Sequence, residues 1–205
     1  MIKLVENIFS PGQLKHIHEV ISNYVIPTID NGEYIASSDN MGTGLDVALG
    51  RLSIGDIGNL LNEDVKDTLN SIAKNFVDYP VMMDHILYTQ YSNKYGKPNL
   101  PPHFDGDTNN FIINMQLFSN TSWDLGLNAR AYTLKDNSAL IFNGNAEVHW
   151  RKHKEFKDGE YVSMLFARFY NEEKRPDYSH LTLDGNDDIF KDARDFRDSF
   201  KDTEH

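Results

Sequence analysis

The chain has 205 residues, 40% of them hydrophobic and 25% charged, with a formal net charge of −11 and no cysteine. This balance predicts a globular fold with a sizeable core, and the acidic surplus disfavours nucleic acid as a tightly held partner, because phosphates are neutralised by Lys and Arg. Disulfides, thiolate metal sites and a Cys nucleophile are excluded, so any metal must take imidazole, carboxylate or amide ligands.

The N-terminal run MIKLVENIFSPG carries an early glutamate and lacks the apolar core of a signal peptide. No apolar run approaches a membrane span. A soluble, cytoplasmic protein is the expectation, and one domain is expected over 1–205. That domain divides into a helical layer with a loop (1–80), a strand-rich core (81–170) and a C-terminal extension (171–205).

Ser10-Pro11 reads as a helix start, with serine as cap and proline in the first turn. Leu14, Ile17, Ile21 and Tyr24 then fall on one face, and Pro27 stops the helix. A Gly-, Ser- and Asp-rich segment, 36–58, reads as a surface connection with a short strand, or as a lid. A second helix is predicted from Asn62, with Val65, Leu69, Ile72 and Phe76 as its stripe and Tyr79-Pro80 as its end.

Strands follow. The segments 84-DHILYTQYS-92, 111-FIINMQLF-118, 129-ARAYTL-134, 138-SALIF-142 and 160-EYVSMLFARFY-170 are apolar or alternating, and turn residues separate them. Short strands in series imply a sandwich or barrel, and helices in front of them make an α+β, mainly β arrangement. Ile189, Ala193, Phe196 and Phe200 predict a last helix that packs back on the body.

Three residues stand out chemically. In 100-LPPHFD-105, His103 and Asp105 are two apart, so on a strand they would share a side. His149 lies in 146-AEVHW-150, just after the strand 138–142 and the turn Asn143-Gly144-Asn145. If its strand lies opposite, two imidazoles and one carboxylate meet on one face of a metal. That donor set is used by non-haem Fe(II) oxygenases. On their own, the two fragments are equally compatible with ordinary surface or core polar residues.

The run from Leu87 to Tyr170 resembles the 2-oxoglutarate and Fe(II)-dependent dioxygenases, in particular their prolyl-hydroxylase-like branch. An aromatic strand ending in Tyr precedes the His-x-Asp in 87-LYTQYSNKYGKPNLPPHFD-105. The apolar strand 111-FIINMQLFSN-120, the approach to the distal His in 136-DNSALIFNGNAEVH-149, and 159-GEYVS-163 follow in the family's order. The match spans roughly 85 residues. It implies a double-stranded β-helix, a cupin-like jelly roll with flanking helices. It implies His103, Asp105 and His149 as iron ligands. It implies Fe(II), 2-oxoglutarate and O2 as cofactors, with ascorbate as an auxiliary reductant. The implied reaction is hydroxylation of a C–H bond in a protein side chain or small metabolite.

One departure concerns the cosubstrate. Many members place an Arg or Lys on the last strand to bind the distal carboxylate of 2-oxoglutarate, and here Tyr161 stands at that position, while Ser163 matches the family's Ser. Tyr91 matches the family's Tyr before the His-x-Asp. Arg151, Arg130 and Arg168 are the candidate cations. Arg151 is two residues after His149, which on a continuing strand puts it on the same side, roughly 6 to 7 Å along. Its planar guanidinium suits a carboxylate. Arg168 has the opposite parity to Tyr161 and Ser163. Asn114 and Gln116 share a face and could line the pocket, whereas Trp150 should point away from His149. Two other readings accompany this one: a catalytically silent jelly-roll binding or structural module, and a cupin-like metalloenzyme that does not use 2-oxoglutarate.

Overall fold

Two antiparallel sheets face one another in the computed structural model, which describes residues 2–25, 27, 44–105, 111–128, 130–171 and 173. The strands are β1 (Lys3–Glu6), β2 (Gly44–Asp46), β3 (Arg51–Ile54), β4 (Val81–Ser92), β5 (Leu100–His103), β6 (Phe111–Ser119), β7 (Leu125–Leu127), β8 (Arg130–Tyr132), β9 (Ser138–Phe142), β10 (His149–Arg151) and β11 (Tyr161–Asn171). The larger sheet has the order β1-β9-β6-β11-β4-β3-β2, and the smaller β5-β10-β7-β8. Chain neighbours are mostly not sheet neighbours, so the chain crosses repeatedly between the two sheets. This is the double-stranded β-helix expected from the sequence.

Two helices cover the outer face of the larger sheet. The first, α1 (Pro11–Val20), starts with a full capping box: Ser10 Oγ accepts from the Gln13 amide, and the Gln13 side chain accepts from the Ser10 amide. The expected face continues only in part. After Val20 the helix widens to a π turn over Ile21–Val25, which shifts the buried position from Tyr24 to Val25 and leaves Tyr24 58% exposed. The second, α2 (Glu63–Phe76), is capped by Asn62 and buries Val65, Leu69, Ala73 and Phe76. Glu63 and Asp64 in its first turn suit the positive end of the helix dipole.

Strand alternation divides the core in two. One face of β11 sends Leu165, Ala167 and Phe169 toward the helices, among Ile86, Tyr88, Ile113 and Met115. The other sends Val162, Met164 and Phe166 between the sheets, with Tyr91, Ile112, Leu140 and Phe142. This second cluster lines the barrel interior, and the candidate site lies at its edge.

Four strands, β1, β5, β7 and β10, are absent from the predicted series, and the last has only three residues. In β5 the pair Pro101-Pro102 hides the strand, yet β5 is an edge strand, where missing N–H donors are tolerated. In β7 and β1 the runs are too short to show alternation. The segment 44–58 contains two strands, β2 and β3, rather than one, and residues 36–43 lie outside the described part. The C-terminal helix expected around Ile189–Phe200 also lies outside the described residues. Among the described residues no helix is long and apolar enough to cross a membrane.

Candidate metal centre

His103, at the end of β5, and His149, at the start of β10, are direct cross-strand partners. Their ring centroids are 4.1 Å apart. The sequence reading brought them together on condition that their strands lie opposite; the structure brings them together as neighbours in the smaller sheet. Asp105 lies beyond the end of β5, so strand alternation does not aim it. Its amide instead donates to the Gly144 carbonyl at 2.9 Å, in the turn that precedes β10. That bond brings the carboxylate to His149, with Oδ1 3.6 Å from His149 Nε2. One ligand atom from each of the three residues lies within 4.8 Å of the others.

Backbone carbonyls orient both rings. His103 Nδ1 is 2.8 Å from the Pro101 carbonyl, and His149 Nδ1 is 3.1 Å from the Glu147 carbonyl. With the proton on Nδ1 in each case, both Nε2 lone pairs are left free, the arrangement that suits metal-binding histidines. Phe142 packs its ring at 5.0 Å from that of His149.

The electrostatics match. Burial and the neighbouring His149 push the His103 imidazole down to about 4, against the opposing pull of its Pro101 bond and Asp105. Burial alone would raise the Asp105 carboxyl, but His149, then Arg168 and His103, outweigh it and hold the group at about 2. At neutral pH His103 is therefore a neutral base and Asp105 an anion. Asp105 Oδ2 is buried and accepts no hydrogen bond. An orphaned buried carboxylate oxygen beside two free imidazole nitrogens is a donor set for a divalent cation, and the residues fit Fe(II).

Gly144 makes room for this carboxylate. A Cβ there would collide with Asp105 Oδ2. The sequence reading took Asn143-Gly144-Asn145 only as a turn, and nothing in the local pattern marks the glycine as part of the site.

The other expected residues separate into two groups. Arg151 is buried and points into the barrel interior. Its Nη1 donates to the Trp123 carbonyl, Nη2 lies 3.5 Å from Met164 Sδ, and the guanidinium covers the Trp123 ring at 4.9 Å. Burial lowers it to about 10, partly offset by Tyr91 and Asp124, so it stays charged at neutral pH. Tyr91 is buried in the same interior, edge-on to Trp123 at 4.9 Å. Trp123 is thus a part of this corner that the sequence reading missed. Asn114 and Gln116 share the interior face of β6, opposite Leu140 and Ser138 of β9, and Asn114 Oδ1 is buried without a partner. Trp150 turns outward as expected and covers Gly126.

Ser163 and Tyr161 are not brought to the triad. Ser163 Oγ lies 3.1 Å from Tyr88 Oη and accepts from Gln90 Nε2, on the helix side of the larger sheet. Tyr161 shares that face by alternation, and its amide donates to Asn120 Oδ1. The interior positions here are Val162 and Met164, so the aligned pair is one residue out of phase with the pocket. The parity argument for Arg168 therefore reverses: Arg168 faces the triad, with Nη2 4.0 Å from Asp105 Oδ1. Arg130, on β8, is exposed at the far edge of the smaller sheet.

No family model matches the chain, and no curated protein does. Solved structures do. A prolyl hydroxylase from Trichoplax adhaerens, in complex with a hypoxia inducible factor oxygen degradation domain peptide fragment, has a TM-score of 0.57, with 12% identity and 85% of each chain covered. AviO1 from Streptomyces viridochromogenes has a TM-score of 0.62 and 13% identity, covering 86% of this chain and 91% of its own. HygX from Streptomyces hygroscopicus, with nickel and 2-oxoglutarate bound, has a TM-score of 0.52 and 7% identity, over 83% of both chains.

The chain shares the fold of these proteins, a double-stranded β-helix. At such identities the likeness speaks for the fold alone.

Proposed function

We propose that the chain is a non-haem Fe(II) oxygenase that couples oxidative decarboxylation of 2-oxoglutarate to hydroxylation of a C–H bond, in a protein side chain or a small metabolite. The observation that carries the reading is the convergence of His103, Asp105 and His149 within 4.8 Å at the edge of the barrel interior. Fe(II), with 2-oxoglutarate and O2, supplies the oxidising power when bound. The chain's own residues do the positioning. Both Nε2 atoms and the Asp105 carboxylate would hold the metal, which would supply a site for cosubstrate and O2.

In this reading Arg151 receives the distal carboxylate of 2-oxoglutarate from inside the barrel, with the Tyr91 hydroxyl beside it. Arg151 thereby takes the role of the family's Arg or Lys, whose aligned position here holds Tyr161. Its contact with the Trp123 carbonyl and ring fixes the guanidinium before any ligand arrives, which reduces the ordering cost of binding. Leu140, Phe142 and Met164 form a dry lining that strengthens these charge interactions. Ser163 and Tyr161 have no part in it.

Anaerobic titration of Fe(II)-loaded protein with 2-oxoglutarate tests the reading. A metal-to-ligand charge-transfer band in the wild type, lost in His103→Ala, is the expected result. Bound iron without a band would instead favour a cupin-like metalloenzyme that does not use 2-oxoglutarate. Absence of metal binding would leave a silent binding module.

A further inference from the structure

Three arginines lie near the barrel interior, and they differ in what occupies them. Arg151 is taken up by the Trp123 carbonyl and Met164 sulfur. Arg51, on β3, also has a buried Nε without a hydrogen bond, but its Nη2 lies 3.4 Å from Asp46 Oδ2 and donates to it. Arg168 has only a looser ion pair. Its Nη2 is 4.0 Å from Asp105 Oδ1, too long for a hydrogen bond, and its Nε is buried without any. Among the described residues Arg168 donates no hydrogen bond.

Its strand neighbours do not serve it either. Ile112 on β6 is apolar, and His85 on β4 is engaged with Asp84 Oδ2 at 2.7 Å. A guanidinium has five N–H donors, and leaving the buried Nε unpaired is costly. The side chain is nevertheless 27% exposed, so a ligand arriving from solvent can reach it. Charge, open donors, access and direct proximity to Asp105 coincide at Arg168.

Arg151 and Arg168 reach the interior from different points. Met164, which touches Arg151, and Arg168 are four positions apart on β11, roughly 13 Å of extended backbone. With Arg151 assigned to 2-oxoglutarate, Arg168 is left for a second ligand beside the triad.

We propose that the molecule oxidised at this site carries a carboxylate, and that Arg168 receives it beside Asp105. Arg168 is thus a specificity-determining residue, and the substrate class is a free acid rather than a neutral side chain. The inference rests on the oxygenase reading above.

The test is a binding experiment. Anaerobic protein loaded with Fe(II) and 2-oxoglutarate is titrated with N-acetyl amino acids and with their amides, and the perturbation of the charge-transfer band is followed. Arg168→Met and Arg168→Lys are run beside the wild type. The expected result is binding of at least one free acid, its amide binding at least about tenfold more weakly. Arg168→Met should lose that preference, Arg168→Lys should keep part of it, and 2-oxoglutarate affinity should stay the same in both. Equal binding of acid and amide, no binding of any acid, or a loss of 2-oxoglutarate affinity in Arg168→Met would each overturn the proposal. A wild type without the band would overturn the oxygenase reading itself, a separate and visible outcome.

Discussion

Gly144 and Asp105 are a matched pair: the Gly144 carbonyl accepts the Asp105 amide at 2.9 Å, and the missing Gly144 side chain leaves the space that the Asp105 carboxylate fills. The turn before the distal histidine thus aims the carboxylate of the proximal motif. Gly144→Ala should displace that carboxylate and weaken divalent metal binding by about 10- to 100-fold, the usual effect of disturbing the support of a ligand. Titration calorimetry with Fe(II) or Co(II), beside far-UV circular dichroism to show an intact fold, would check it. Unchanged metal affinity would mean that Asp105 is not held by this turn.

Arg151 should control cosubstrate affinity and leave iron in place. Arg151→Lys keeps the charge but loses the planar fork and its packing on Trp123. The expected outcome is a 2-oxoglutarate dissociation constant raised by about tenfold or more, with iron stoichiometry unchanged, read from the same charge-transfer titration. Equal affinity in the two proteins would remove Arg151 from the pocket.

Asn114 sets stability against binding. Its Oδ1 is buried in the barrel interior with no partner, a cost to the folded state. Asn114→Leu should raise stability by about 1 kcal/mol in urea denaturation while weakening binding of cosubstrate or substrate. A variant both less stable and fully competent in binding would contradict this.

Ser163 should matter to the fold and not to the cosubstrate. Ser163→Ala removes the partner of the buried Tyr88 hydroxyl and should cost about 1 kcal/mol, with 2-oxoglutarate affinity unchanged. Tyr88 also predicts an alkaline limit. Burial pushes its phenol up to about 12, with Tyr95 and Tyr161 adding to the rise and the Ser163 bond opposing it. The folded chain therefore keeps this proton more tightly than the unfolded one. The contribution is full below about pH 10, where the unfolded phenol is still protonated, and is lost as pH rises toward 12. Tyr88→Phe should abolish that part of the alkaline loss, measured by urea denaturation across the same pH range.

Much of this chain follows from local pattern. The helix caps at Ser10 and Asn62 satisfy free backbone donors within a few residues, so sequence alone specifies where α1 and α2 begin. The strands β4, β6, β9 and β11 carry runs of apolar, aromatic and β-branched residues that fit a buried pleated surface. The motif around His103, Asp105 and His149 was legible because imidazole and carboxylate two positions apart, with a second imidazole after a strand and turn, are the donor types that bind a divalent metal.

What only the tertiary structure decided depends on register and on chain crossings, which short-range pattern does not encode. A strand shifted by one residue exchanges its two faces, and this is how Ser163 and Tyr161 left the pocket while Arg168 entered it. The pairing of β5 with β10 made His103 and His149 neighbours, although 46 positions separate them in the chain. Asp105 met Gly144 for the same reason. The sequence by itself determined which donors exist and which elements carry them. The folding of two sheets against each other determined which donors meet, because side-chain convergence is a long-range property of the packed chain.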